Sequence, residues 1–225
     1  MKVLVISAAY PPFHAGEATN TYFLCKQLAD RKLDVHVLTS QGCTGTGEPG
    51  ITVHPIMDQW SWAEIPRFKA FLKRCAPDAI YLMYLGVMYH YHPMITFTPT
   101  IAKKLFPHVP FVTRFENVRA CSDPSRMSMV SRVFRKYVVQ EWAGRGGVSY
   151  NFGTLMRDSD SLIVLCKMHQ MILLEERPDI GGKMTLIPPP PNMRICEVGE
   201  AARQSQRAKL GVEPGDFVFA FLGYI

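Results

Sequence analysis

The sequence predicts an α/β protein, a Rossmann-like, doubly wound and mainly parallel sheet of about seven strands with helices on both faces. Three observations predict it. Short apolar runs alternate with segments of helical spacing along most of the chain. The first run, residues 2–8, is apolar at nearly every position, as strands buried on both faces of a parallel sheet are. Strand, helix and strand then follow within the first 39 residues, which is a βαβ unit with a right-handed crossover.

The elements read in order. A loop over residues 9–16 follows the first strand. Ala18, Tyr22, Cys25, Leu28 and Ala29 fall at helical spacing over residues 17–31. A second strand covers 34–39, a Gly- and Thr-rich loop 41–50, and a third strand 51–56. Residues 64–75 form a helix with a basic face. The fourth strand covers 78–84, a helix 95–106 and the fifth strand 110–115. A long helix is expected over 125–143, with Val130, Val133, Phe134, Tyr137, Val138 and Trp142 on one face. The sixth strand (161–166), a helix (167–177) and the seventh strand (184–187) complete the sheet.

The texture then changes. Pro188, Pro189, Pro190 and Pro191 form a stiff segment that cannot enter a sheet interior. A polar helix over 200–210 ends at Gly211, and residues 216–223 again read as a buried strand. A lone strand cannot bury both faces. The expected organisation is a first domain over 1–188, a linker and helix over 189–215, and the opening strand of a truncated second domain over 216–225.

Composition narrows the function. Twenty-five Lys and Arg against 19 Asp and Glu give a net charge of +6, with the basic residues scattered and no nucleic-acid-binding motif among them. That balance permits phosphates, nucleotides or an anionic membrane surface as partners. The six cysteines show no C-x-x-C spacing, which argues against a zinc site and for reduced thiols in the cytoplasm. No run approaches the roughly 18 apolar residues of a membrane-spanning helix. The glycine fingerprint of a nicotinamide or flavin enzyme is missing after the first strand, where only Gly16 stands, so no cofactor is expected.

Order and spacing of several short motifs carry a resemblance. Tyr10-Pro11-Pro12 and then Ala15-Gly16-Glu17 follow the first strand; Leu28-Ala29 and the strand from Asp34 to Thr39 come next. Pro77-Asp78 opens the fourth strand, Asp160-Ser161 the sixth, and Ile187-Pro188 closes the seventh. Together with Arg207, Leu210-Gly211 and residues 216–223, they resemble the N-terminal domain of GT-B glycosyltransferases of the retaining, family-four type, running into their second domain. The chain departs from that family in four places. Ala15 replaces one of two glycines, Lys32-Leu33 stand where Gly-His is usual, Phe115 and Glu116 occupy a histidine's stretch, and prolines replace the Pro-Asn-Gly linker.

The resemblance implies transfer of a sugar from a nucleotide-sugar donor to a saccharide or lipid-linked acceptor, without a protein-bound metal. It also implies that the fragment alone is inactive, since donor-binding residues belong to the second domain. Peripheral contact with the inner membrane face is implied for the long helix, with Arg126, Arg132, Arg135, Lys136 and Arg145; packing of its apolar stripe on the sheet is the alternative. Substrate-binding candidates lie beyond the strand C-termini, where open sheets bind ligands. Gly16, with Ala15, allows a phosphate close to a helix N-terminus; a plain turn glycine is the alternative. His14 resembles in position a histidine that some inverting GT-B enzymes use as a general base; a chance loop histidine is the alternative. His90 and His92, with Tyr89 and Tyr91 beside them, suit an acceptor wall, or a structural role. Arg114, Glu116 and Asn117 suit phosphate and sugar hydroxyls, or form a surface ion pair. No catalytic residue is assigned. A non-catalytic α/β binding or regulatory module is the alternative function.

Overall fold

The computed structural model describes residues 1–118, 129, 133, 146–149, 151–190, 196–213 and 215–219. They fall into two compact units, Met1–Pro190 and Pro191–Ile225. Of the long helix expected over 125–143, only Met129 and Val133 are described, both helical and exposed; its basic residues lie outside the described residues.

The first unit is built on β1 (Lys2–Ile6), β2 (Asp34–Ser40), β3 (Ile51–Met57), β4 (Ala79–Tyr84), β5 (Phe111–Phe115), β6 (Ser161–Val164) and β7 (Met184–Leu186). They form one seven-stranded sheet in the order β3-β2-β1-β4-β5-β6-β7. Every ladder is parallel, so the expected mainly parallel sheet is wholly so. Alternation explains why the central strands are apolar throughout. Leu4, Ile6, Leu38, Ile80, Leu82, Phe111, Phe115, Leu162 and Val164 face one core. Val3, Val5, Val35, Val37 and Met83 face the other.

Helices cover both faces. α1 (Gly16–Asp30) contributes Cys25 to the second core. α2 (Ile65–Cys75) puts Phe68, Phe71 and Leu72 into the first. α3 (Thr98–Leu105) packs beside α2, a single turn α4 (Leu155–Asp158) precedes β6, and α5 (Lys167–Glu176) buries Leu173. The helix expected over 95–106 is divided: residues Pro93–Phe97 form a 3-10 segment and α3 starts only at Thr98. Pro99, which has no N–H, fixes that new start.

α1 ends without glycine. Lys32 takes φ 61°. Its N–H reaches Ala29 O at 2.8 Å and that of Leu33 reaches Leu28 O at 3.3 Å, a Schellman closure. Lysine therefore holds the left-handed position that glycine usually fills.

In the second unit, α6 (Glu200–Lys209) has no buried residue. Residues 216–219 form no strand, and Phe217 and Phe219 are exposed; residues 220–223 of the expected strand lie outside the described residues. Among the described residues no helix is long and apolar enough to cross a membrane.

Candidate functional site

The sheet reverses direction of growth between β1 and β4. To one side lie β2 and β3, to the other β5, β6 and β7. Crossovers therefore leave β1 and β4 in opposite directions, and the C-terminal ends of these two strands are where open sheets of this kind bind ligands. Three segments meet this edge: the loop from β1 to α1, the turn after β4 and the exit of β5.

The first loop is tied inward. Ser7 Oγ donates to Ala9 O at 2.9 Å and lies 3.1 Å from Thr21 Oγ1 on α1, and Tyr10 is buried. Phe13 and His14 are exposed. Ala15 is extended at φ −151° and offers no side chain to cap the helix. Gly16, expected in the loop, is instead the first helical residue, and it is exposed. The N-terminal N–H groups of α1 thus point outward, uncapped at Ala15 and unshielded by a Cβ at Gly16.

After β4 the chain makes a 3-10 turn, Gly86–Tyr89. Tyr89 belongs to the core rather than to any wall: it is buried, and its hydroxyl donates to Met83 O at 2.8 Å. His90 and Tyr91 are exposed, at φ 52° and 53°. His92 turns away from His90. Its Nδ1 accepts from Met94 N–H at 3.1 Å, and its ring meets Trp62 edge-on at 5.5 Å. No group of three His, Cys, Asp or Glu is placed to hold a metal among the described residues.

At the exit of β5, Arg114 and Glu116 form an ion pair, Nε to Oε1 at 2.7 Å, with side chains 9% and 8% exposed. The surface-pair alternative is therefore wrong; the pair is buried. It is also incompletely satisfied. The approach is too bent for a hydrogen bond, and Arg114 Nε, Arg114 Nη2 and Glu116 Oε1 have no hydrogen-bond partner among the described residues. Burial pushes the Glu116 carboxyl above the usual carboxylate range; Arg114 opposes this, and Glu17 in the first turn of α1 adds to it. Glu116 is thus coupled electrostatically to the first turn of α1. Asn117 is exposed beside it.

The sequence candidates thus divide. Arg114 and Glu116 are in contact and sense Glu17, the neighbour of Gly16. His90 and His92 lie on the turn after β4 without touching each other. Two residues of the edge went unread in the sequence. Glu17 stands in the sequence only as the end of the Ala15-Gly16-Glu17 motif, and Trp62, 45% exposed, lies between β3 and α2. An exposed tryptophan so close to a strand end was the available signal for the second.

No protein-family model matches the chain, and no curated protein sequence does. Solved structures share its fold. A glycosyltransferase from Rickettsia africae ESF-5 is 11% identical with a TM-score of 0.53, over 95% of this chain and 50% of that one. WaaG, a glycosyltransferase involved in lipopolysaccharide biosynthesis, is 15% identical with a TM-score of 0.58, over 94% of this chain and 52% of its own. The catalytic domain of starch synthase IV from Arabidopsis thaliana, bound to ADP and acarbose, is 11% identical with a TM-score of 0.52, over 96% and 60%. At these identities the likeness is one of fold. The fold of this chain is thus the α/β fold found in GT-B glycosyltransferases, and the chain spans about half the length of the first two.

Proposed function

We propose that this chain forms the acceptor-side wall of a glycosyltransferase cleft, for transfer of a sugar from a nucleotide-sugar donor. One observation carries the reading: a buried arginine, with Nε and Nη2 unpartnered among the described residues, stands at the exit of β5, one strand from the switch point of the sheet, and its ion-pair partner Glu116 is electrostatically coupled to Glu17 in the first turn of the uncapped α1. Buried polar groups without partners are rare in folded proteins, and a bound ligand is one explanation when they stand at the ligand edge of a sheet.

In the transfer, the bond from the sugar's C1 to the diphosphate oxygen breaks and the diphosphate leaves with the electron pair. The acceptor hydroxyl oxygen bonds to C1 and its proton passes to the leaving diphosphate oxygen. Negative charge grows on the leaving phosphate. The N-terminal N–H groups of α1, reachable at Gly16, are oriented to receive it, and a helix end contributes about 0.3–1 kcal/mol per favourable charge, up to about 2 when partly buried. Arg114 adds charge-assisted donors. Neutralisation in this reading comes from protein groups, without a protein-bound metal, and the remaining rate enhancement comes from orienting the two substrates. In this reading the donor is held chiefly by a second domain, as in the half of the neighbours' length that this chain does not match. The enzyme acts in the cytoplasm. Peripheral contact with an anionic membrane face belongs to the same reading and is supported by α2, which exposes Arg67, Lys69, Lys73 and Arg74 and has no acidic residue.

Calorimetric titration of this chain with UDP-glucose and ADP-glucose tests the reading, followed by a transfer assay on a longer protein that contains a donor-binding domain. Weak binding, no transfer by this chain, and transfer by the longer protein are expected. Gly16→Val in the longer protein lowers turnover by at least about tenfold, which is about 1.4 kcal/mol of lost transition-state stabilisation. Full turnover in that variant removes Gly16 from the site, and a longer protein with no transferase activity leaves a binding module.

A further inference from the structure

The wall after β4 differs from the Arg114 side of the sheet edge in having no fixed charge. From Ala79 to Ala102 the sequence contains no Asp, Glu, Lys or Arg. Most of that stretch is core and needs no further reason. Its exposed members do: Val87 is 50% and Tyr91 64% exposed, and His90 is exposed between them. Facing this turn is Trp62, whose ring packs on His92 at 5.5 Å and on Phe97 at 5.5 Å.

These rings are held in place. Trp62 opens a short turn closed by a capping box, in which the buried Glu64 accepts from the N–H groups of Asp58 at 2.8 Å and Ser61 at 3.2 Å. Tyr91 follows His90 in a run of two left-handed residues, which disfavours any side chain. The conformation is kept by Tyr91 N–H on Gly86 O and His92 N–H on Tyr89 O, both 2.8 Å. Gly86 lies directly under the ring: a Cβ there would stand 3.2 Å from Tyr91 Cδ1. Backbone strain of this kind collects at ligand clamps. His92 completes the surface. Because its Nδ1 accepts from Met94, its Nε2 carries the proton and offers a donor.

Exposed rings, imidazole donors and no fixed charge fit a flat ligand with an apolar face and hydroxyls at its edge. A pyranose has that shape: its axial C–H bonds make one face apolar, and its hydroxyls point outward. Residues 79–102 offer no Lys or Arg to meet a carboxylate or phosphate seated on this turn. We infer that Trp62, Tyr91 and His92 form a stacking platform for a neutral saccharide. Its role as acceptor rests on the transfer reading above; its binding does not.

Saturation-transfer NMR on this chain tests the platform, with maltotriose, cellotriose and chitotriose as neutral probes, trigalacturonic acid as the acidic probe and dihexanoylphosphatidylcholine as the acyl-chain probe. Transfer to the ring C–H protons of at least one neutral trisaccharide is expected, with at most weak signal from the other two classes. Trp62→Ala and Tyr91→Gly each weaken that binding by about tenfold or more, the loss of roughly 1.4 kcal/mol of stacking, and Trp62→Phe retains part of it. Glycine at position 91 suits the left-handed backbone, so the variant keeps its fold, which circular dichroism checks. Failure of all three neutral probes, preference for the acid or the lipid, or binding indifferent to both variants overturns the inference. Saccharide binding by this chain with no transfer by the longer protein keeps the platform and removes the enzyme reading; transfer indifferent to Trp62 and Tyr91 does the reverse.

Discussion

Glu116 is pulled two ways, by an arginine that favours its charge and by burial that opposes it, and burial prevails. Its pH dependence follows with a definite sign. A carboxyl whose value is raised on folding binds its proton more tightly in the folded state. Its stabilising contribution is complete below the ordinary carboxylate value and is lost as pH rises through the raised one. Urea denaturation across that window should show stability falling with pH more steeply in the wild type than in Glu116→Gln; equal slopes would mean that Glu116 keeps an ordinary value. Lys32 carries a second prediction. Its left-handed φ of 61° is costly for lysine and free for glycine. Lys32→Gly should raise stability by up to about 1 kcal/mol, after the greater freedom of glycine in the unfolded chain is subtracted. Thermal denaturation reads this as a higher midpoint. Both positions were visible in the sequence, Glu116 because it follows a strand's C-terminus and Lys32 because it ends a helix. What could not be seen was the partner. Glu17 acts on Glu116 across almost a hundred residues of chain, and spacing within a motif says nothing about that.

Edge strand β3 is joined to β2 by more than its ladder. His54 Nε2 and His36 Nδ1 lie 2.9 Å apart with rings stacked at 6°, and His36 Nε2 lies 3.3 Å from Asp34. Neutral rings can share this chain of hydrogen bonds; two imidazolium rings repel. Burial first, then His36 and Arg74, hold His54 below the usual imidazole value. A depressed group contributes stability that is present above its unfolded value and is lost as pH falls through the folded one. Acidification from pH 7 towards 5 should therefore lower amide protection factors in β3 before those in β1 or β4, and His54→Gln should remove that acid-side loss. Gly153 is the tightest point of a different element. It sits at φ 51° in a two-residue bridge with Ser149, and a Cβ there would stand 2.9 Å from the Thr96 carbonyl oxygen. Thr154 N–H donates to that same oxygen at 3.0 Å. Gly153→Ala should destabilise the first unit by about 2–4 kcal/mol, combining overpacking with a disfavoured backbone, measurable by urea denaturation. The strands were legible because burial on both faces leaves a run of apolar residues. The division of the 93–105 segment was not, since its periodicity continues through the change from 3-10 to α geometry. Only Pro99 hinted at it.

At the scale of the whole molecule, seven strands and their parallel sense could be read from alternation with helices, but their order could not. Nothing local in β1 says that β4 rather than β3 lies at its other side. That choice creates the switch point, so the place of the site was legible only through the general rule for open sheets and the resemblance. The same order has a consequence for synthesis. Val3 pairs with Val35 on one side and with Ala79 on the other. At roughly 5–20 residues per second, a ribosome takes about 4–15 s to reach the second partner after making the first strand. During that interval β1 has an open edge of apolar strand, and it is the strand most in need of a chaperone's cover. A nascent chain arrested before residue 79 should therefore be retained by chaperones, and one arrested after residue 115, once β5 has closed over β4, should be released more readily.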